Sequence, residues 1–240
     1  MGYPGGKASD GIYHKIINQI PPHKTYIEAF LGGGAILLHK KPADCSIGID
    51  SDVNVIENWQ RSGISINGVP LEGGVPGCTY KKGDAISFLK SYKWRGGEFV
   101  YCDPPYLMST RRSKRPIYRH ELATEQEHEK LLDVLLSLPC MVAISGYWSS
   151  LYASRLQGWR SISFQAGTRA GTSATEWLWM NYPEPLELHD YRYIGENFRE
   201  REKINRQRKR WQARLLRMSS VQRYALMATI AELGDTSCTK

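Results

Sequence analysis

No apolar run in the 240-residue chain approaches the roughly 18 to 20 residues that span a bilayer, so no transmembrane segment is expected. The stretch from Met1 to Lys7 also lacks a signal-peptide hydrophobic core, and the expectation is a cytoplasmic protein. The five cysteines, Cys45, Cys78, Cys102, Cys140 and Cys238, form no CxxC pair and have no companion histidines at zinc-ligand spacing. Reduced thiols and no metal site follow as expectations. None of the six histidines is paired in sequence with a Ser or Cys nucleophile, and no catalytic role is assigned to them. No internal repeat is visible.

What is present is a globular composition, 41% hydrophobic and 23% charged, sized for one good core with appendages. The formal net charge of +8 favours an anionic partner, nucleic acid ahead of a membrane surface. Short apolar runs alternate with helical periodicity, the pattern of an α/β protein whose parallel strands are joined by crossover helices. Strands are expected at Thr25 to Phe30, Cys45 to Ile49, Glu98 to Cys102 and Met141 to Ser145. Helices are expected at 10–20, 35–40, 52–61 and 84–92, and another after the Thr124/Glu127 capping box. Ser161 to Gln165 and Glu176 to Tyr182 read as a closing antiparallel pair, and 63–77 as a Gly- and Pro-rich loop with room for a small hairpin.

Beyond Pro183 and Pro185 the composition shifts. Residues 196–224 hold ten Lys or Arg against three Glu, a net +7, with Ile204, Trp211, Leu215 and Met218 on one helical stripe. An appended basic helix is expected there, and a second from Val221 to Leu233. The organisation expected is a core at 1–185 and a basic helical extension at 196–240. The stripe suits docking, and the arginines suit contact with nucleic acid.

Three constellations carry chemistry. Tyr26 to Ala35 runs from a strand through Gly32-Gly33-Gly34 into a helix, where glycines let a ligand approach the backbone and the helix N-terminus favours electron-rich groups. Asp50 ends the next strand, the position from which a carboxylate accepts ribose hydroxyls, while Asp52 is the better N-cap for the following helix. Asp103-Pro104-Pro105-Tyr106 then closes the Glu98 to Cys102 strand. The prolines cannot donate ladder hydrogen bonds, so the segment is a rigid extended shelf at a strand's carboxyl end, where open α/β sheets bind ligands. It offers a carboxylate, a backbone carbonyl and an aromatic face to a planar amine such as adenine N6. The basic loop beyond it, within 107–121, carries Arg111, Arg112, Lys114, Arg115 and Arg119 and is expected to contact phosphates beside an extruded base.

These pieces, with Tyr3-Pro4-Gly5-Gly6-Lys7 at the start, Gly83-Asp84 and the late Glu176-Trp177-Leu178-Trp179-Met180-Asn181, resemble the Dam-like DNA adenine N6-methyltransferases of bacteria and bacteriophages, in matching order over residues 3–182. The resemblance implies a doubly wound, mostly parallel Rossmann-like methyltransferase sheet with an antiparallel last strand. It also implies S-adenosylmethionine as co-substrate without a metal, DNA as partner, and transfer of a methyl group to adenine N6 by Asp103, Pro104, Pro105 and Tyr106. Cofactor contacts are implied for Tyr3, Lys7, Phe30, Gly32, Gly34, Asp50 and Asp84, and Tyr106 would stack on the flipped base.

The sequence departs from the family's pattern twice. Ala29 stands where the family has proline, and only 63–77 is available where other members carry a substantial recognition domain, so a short or relaxed recognition sequence is expected. The same chemistry would serve a methyltransferase of RNA or of a protein amide, and the fold could persist in a non-catalytic DNA-binding protein. A nicotinamide oxidoreductase would explain the glycine turn but leaves the tetrapeptide unexplained.

Overall fold

The computed structural model describes residue 7 and residues 11–61, 64–66, 69–71, 75–111, 119, 121–167 and 173–237. The chain divides into two compact units, Met1–Tyr191 and Arg192–Lys240. In the first unit the order is α1 (Ile12–Ile17), β1 (Thr25–Glu28), α2 (Ala35–His39), β2 (Cys45–Asp50), α3 (Val53–Arg61), β3 (Ile64–Ile66), β4 (Val69–Leu71), β5 (Cys78–Lys82), α4 (Ala85–Ser91), β6 (Glu98–Cys102), α5 (Glu125–Ser137), β7 (Met141–Tyr147), α6 (Ser150–Arg155), β8 (Arg160–Gly167) and β9 (Ser173–Met180). The second holds α7 (Phe198–Arg217) and α8 (Ser220–Ser237).

Seven strands form one sheet in the order β5-β2-β1-β6-β7-β9-β8. The first five in that order run parallel, and β9 is antiparallel to both neighbours. The order reverses between β1 and β6, which puts the glycine turn after β1 beside the tetrapeptide after β6. The hairpin of β3 and β4 forms a separate two-stranded sheet, all the regular structure found among the described residues of 63–77.

The central strands are buried on both faces, so they read as continuous apolar runs and not as alternation. All five residues of β6 are buried. Leu131, Leu132 and Leu135 of α5 pack with Val100, Cys102, Val142 and Ile144 in the main core, each within 0% of full burial. The capping box that starts α5 is formed: Thr124 Oγ1 accepts from Glu127 N, and Glu127 Oε2 accepts from Thr124 N at 3.0 Å. Losing such a cap costs about 1 kcal/mol. His128 is fully buried in the same helix, bonded to Tyr152 Oη and the Leu122 carbonyl, and burial lowers its pKa, so it serves packing.

Two elements had no sequence signal. β5 is an edge strand whose Thr79, Lys81 and Lys82 are exposed, so it lacks an apolar face, and α6 is a six-residue helix begun by the Ser149 cap on Tyr152 N. In the second unit, α7 is capped by Asn197, whose side chain accepts from Glu200 N at 3.0 Å. Along it Ile204 and Leu215 are half-buried, like Met218 at its C-cap, while Trp211 is exposed.

Candidate active site

One cavity of about 370 Å³ opens at the carboxyl edge of the parallel strands, lined by Phe30 to Gly34 after β1, Asp50 at the tip of β2, Gly83 and Asp84 after β5, and Asp103 and Pro105 after β6. Such a volume suits a ligand of nucleoside size. Strand tips that lie far apart in sequence converge there because the sheet is doubly wound.

The glycine turn is built by close approach. Gly32 and Gly34 have positive φ of 42° and 54°, which side-chain-bearing residues rarely adopt. Trp59 of α3 donates Nε1–H to the Gly32 carbonyl at 3.0 Å, and a Cβ on Gly34 would lie 2.2 Å from its ring. The Gly32 amide in turn donates to Asp50 Oδ2 at 2.8 Å, and the Asp52 amide donates to Oδ1 at 2.8 Å. Two amides thus fix the carboxylate at the tip of β2. Asp52 caps α3, its Oδ1 accepting from Asn54 N at 2.9 Å. Asp84 caps α4 through Oδ1, which takes both the amide and the hydroxyl of Ser87 at 2.8 Å.

Glu28, at the end of β1, is buried and lines the same cavity. Its Oε2 accepts from Tyr26 Oη at 2.9 Å and Leu37 N at 3.0 Å, yet burial pushes its pKa up to about 8. The sequence offered one hint of it, a lone charge inside an apolar strand.

At the tetrapeptide, Lys7 is 3% exposed and its ammonium reaches Asp103 Oδ1 at 2.8 Å, Oδ2 at 2.7 Å and Tyr106 Oη at 2.8 Å. Glu176 Oε2 of β9 lies 3.5 Å from the same nitrogen. Burial opposes the charge on Lys7, but the carboxylates of Asp103 and Glu176 outweigh it and raise its pKa. Lys7, expected at the cofactor, therefore lines the cavity with its charged end on Asp103. The Tyr106 ring stands edge-on to Tyr147 with centroids 4.6 Å apart. Among the described residues no hydrogen bond reaches the Pro104 carbonyl.

The basic loop needs one correction. Arg111 is 7% exposed, forked onto Glu121 at 3.0 and 2.6 Å, and its Nε donates to the Tyr106 carbonyl at 2.5 Å. Burial and that bidentate pair make it an internal brace of the tetrapeptide, not a phosphate contact. Arg119 is exposed at the cavity rim, 3.5 Å from Asp52 Oδ1. Tyr3, Arg112, Lys114 and Arg115 lie outside the described residues.

The doubly wound sheet with one reversed strand brings a glycine turn, an acidic second-strand tip and an Asp-Pro-Pro-Tyr shelf to one cavity, and the family-model match below supports methyltransferase activity. Residues 79–157, from β5 through the tetrapeptide to α6, match the model of a particular family, the D12 class N6 adenine-specific DNA methyltransferases. No curated protein sequence matches the chain. Similar solved structures include the Escherichia coli protein yhhF, named as a candidate methyltransferase, at 16% identity over 76% of this chain and 92% of that one, with TM-score 0.46. They also include a dimethyladenosine transferase of Plasmodium falciparum (12% identity, 75% and 63% covered, TM-score 0.45) and a magnesium protoporphyrin IX methyltransferase of Synechocystis PCC 6803 (10%, 71% and 75%, 0.44). Likeness at that level carries no argument about this chain's substrate.

Proposed function

We propose that the protein transfers a methyl group from S-adenosylmethionine to the N6 amine of adenine in DNA. One observation carries the reading: Asp50 and Asp103, a ribose acceptor and an amine acceptor at two strand ends of one sheet edge, line a single cavity with the Phe30 to Gly34 turn. The residues present fit the cofactor. Asp50 is preset by two amides for ribose hydroxyls, Asp84 retains an oxygen for an adenine amine, and Phe30, Gly32 and Gly34 give close backbone approach.

When bound, S-adenosylmethionine supplies an electrophilic methyl sulfonium. The adenine N6 lone pair is delocalised into its ring and is a poor nucleophile. Asp103 and the Pro104 carbonyl accept the two N6 hydrogens and localise that pair toward the methyl group. As the N–C bond forms and the S–C bond breaks, the pair of the breaking bond stays on sulfur, N6 becomes positive, and one N6 proton then leaves toward Asp103. The site requires the base to be flipped out of the helix, because a stacked adenine cannot present N6 to a recessed shelf. Tyr106 supplies the face for that base, and Arg119 a rim contact to phosphate. The hairpin of β3 and β4 stands where a recognition domain would, so the recognised sequence is short or relaxed.

Expression in a host without its own adenine methylase, followed by mapping of N6-methyladenine, tests the reading. Methylated adenines at short, frequent sites are expected. Asp103→Ala should keep cofactor affinity while turnover falls by roughly 10²- to 10³-fold or more, the scale of losing one preorganised electrostatic partner. An unmethylated genome beside active wild-type protein on RNA or protein amides would refute it.

A further inference from the structure

Glu176 has no task in the methyl transfer itself. It is 7% exposed, and its Oε2 is buried with no hydrogen-bond partner although the Lys7 ammonium is 3.5 Å away. An unsatisfied buried carboxylate oxygen is costly and calls for an explanation. Lys7 has three N–H donors, and the two Asp103 oxygens and Tyr106 Oη stand at bonding distance to take them. Bringing Lys7 to hydrogen-bonding distance of Glu176 takes a shift of roughly 0.5 Å.

That arrangement suits the resting enzyme better than the reacting one. Asp103 must receive the hydrogens of an amine that turns positive as its new bond forms. An ammonium 2.7 Å from the same carboxylate then faces a growing like charge, in a setting where burial weakens screening. We infer that Glu176 is a positioning residue for Asp103, offering the Lys7 ammonium a second seat so that Lys7 yields a catalytic oxygen when the target amine arrives. The inference rests on the methyl-transfer reading of this site. The groups that face Glu176 are Lys7, Asp103 and Tyr106, with Tyr101 coupled to it more weakly; its strand neighbours are Tyr147 on β7 and the non-ionisable Phe164 on β8. Burial holds the Glu176 carboxyl above the usual range, countered by Lys7, so acidification removes the second seat.

A double-mutant cycle on the full chain tests this, starting from wild-type turnover on DNA, the measurement that stands or falls with the substrate reading. Glu176→Gln should lower kcat at least about tenfold with little change in cofactor affinity, and should move the acidic limb of the kcat profile to lower pH. Lys7→Met removes the ammonium, so in that background Glu176→Gln should change kcat by less than about twofold. Equal fold-losses in both backgrounds would overturn the exchange, as would a Glu176→Gln enzyme with full turnover. Should the Gln variant not fold, Glu176→Asp keeps the charge but withdraws it by one methylene, and the same cycle decides.

Discussion

The ring of Trp59 occupies the space that a side chain on Gly34 would need. The glycine at this turn is therefore demanded by the protein's own packing. Gly34→Ala should destabilise the fold by about 2–4 kcal/mol, combining left-handed backbone strain with overpacking. Denaturant unfolding measures it. Adding Trp59→Ala should not restore stability, because that change leaves the strain and opens a cavity. Full recovery would show that ring contact alone matters.

Glu28 predicts a pH dependence of stability. Its folded pKa of about 8 lies above the roughly 4.3 of an unfolded chain, so the native state holds the proton more tightly. The contribution is complete below about pH 4.3 and is lost as pH rises through about 8. Glu28→Gln keeps a neutral side chain throughout. Its Tm relative to wild type should rise between pH 5 and pH 8, and a constant difference in thermal melts would contradict the assignment.

Arg111 and Arg119 should separate cleanly. Arg111→Ala breaks the largely buried ion pair with Glu121, which costs about 3–5 kcal/mol, and removes the bond to the Tyr106 carbonyl, so stability and turnover fall together. Arg119→Ala should leave melting unchanged. It should reduce the slope of log affinity against log salt by about 0.9, the signature of one phosphate contact. Filter binding across a salt series reads that slope; the reverse pattern would exchange the two roles.

If the rim and the basic segments together contact about six phosphates, affinity should drop by roughly a thousandfold between 50 and 200 mM salt. A flat response would remove DNA phosphates from the basic segments altogether.

Much of this was legible in the sequence for definite reasons. Strands β1, β2, β6 and β7 are buried on both faces and announce themselves as apolar runs, and α5 carries its capping box in Thr124 and Glu127. The tetrapeptide and Asp50 sit at strand ends, and strand ends meet wherever the sheet order reverses. β5 stayed hidden because an edge strand with exposed lysines has no periodic apolar signal. The Arg111 pairing was invisible for another reason: one arginine in a basic run looks like its neighbours until Glu121 is seen to fold back on it. Glu176 stood within an apolar strand as a single charge, a sign of buried pairing, but its partner Lys7 lies at the other end of the domain.

Because β9 runs against its neighbours, the residues entered first on that strand arrive at the same rim that other strands reach last. Reversal therefore does more than finish a sheet: it lets the segment of the domain synthesised late deliver an acid to a centre whose lysine was made first. A nascent chain that has emerged only through β8 owns the shelf and its ammonium but not their counterweight, and it becomes whole only once that final ribbon threads inward between β7 and β8.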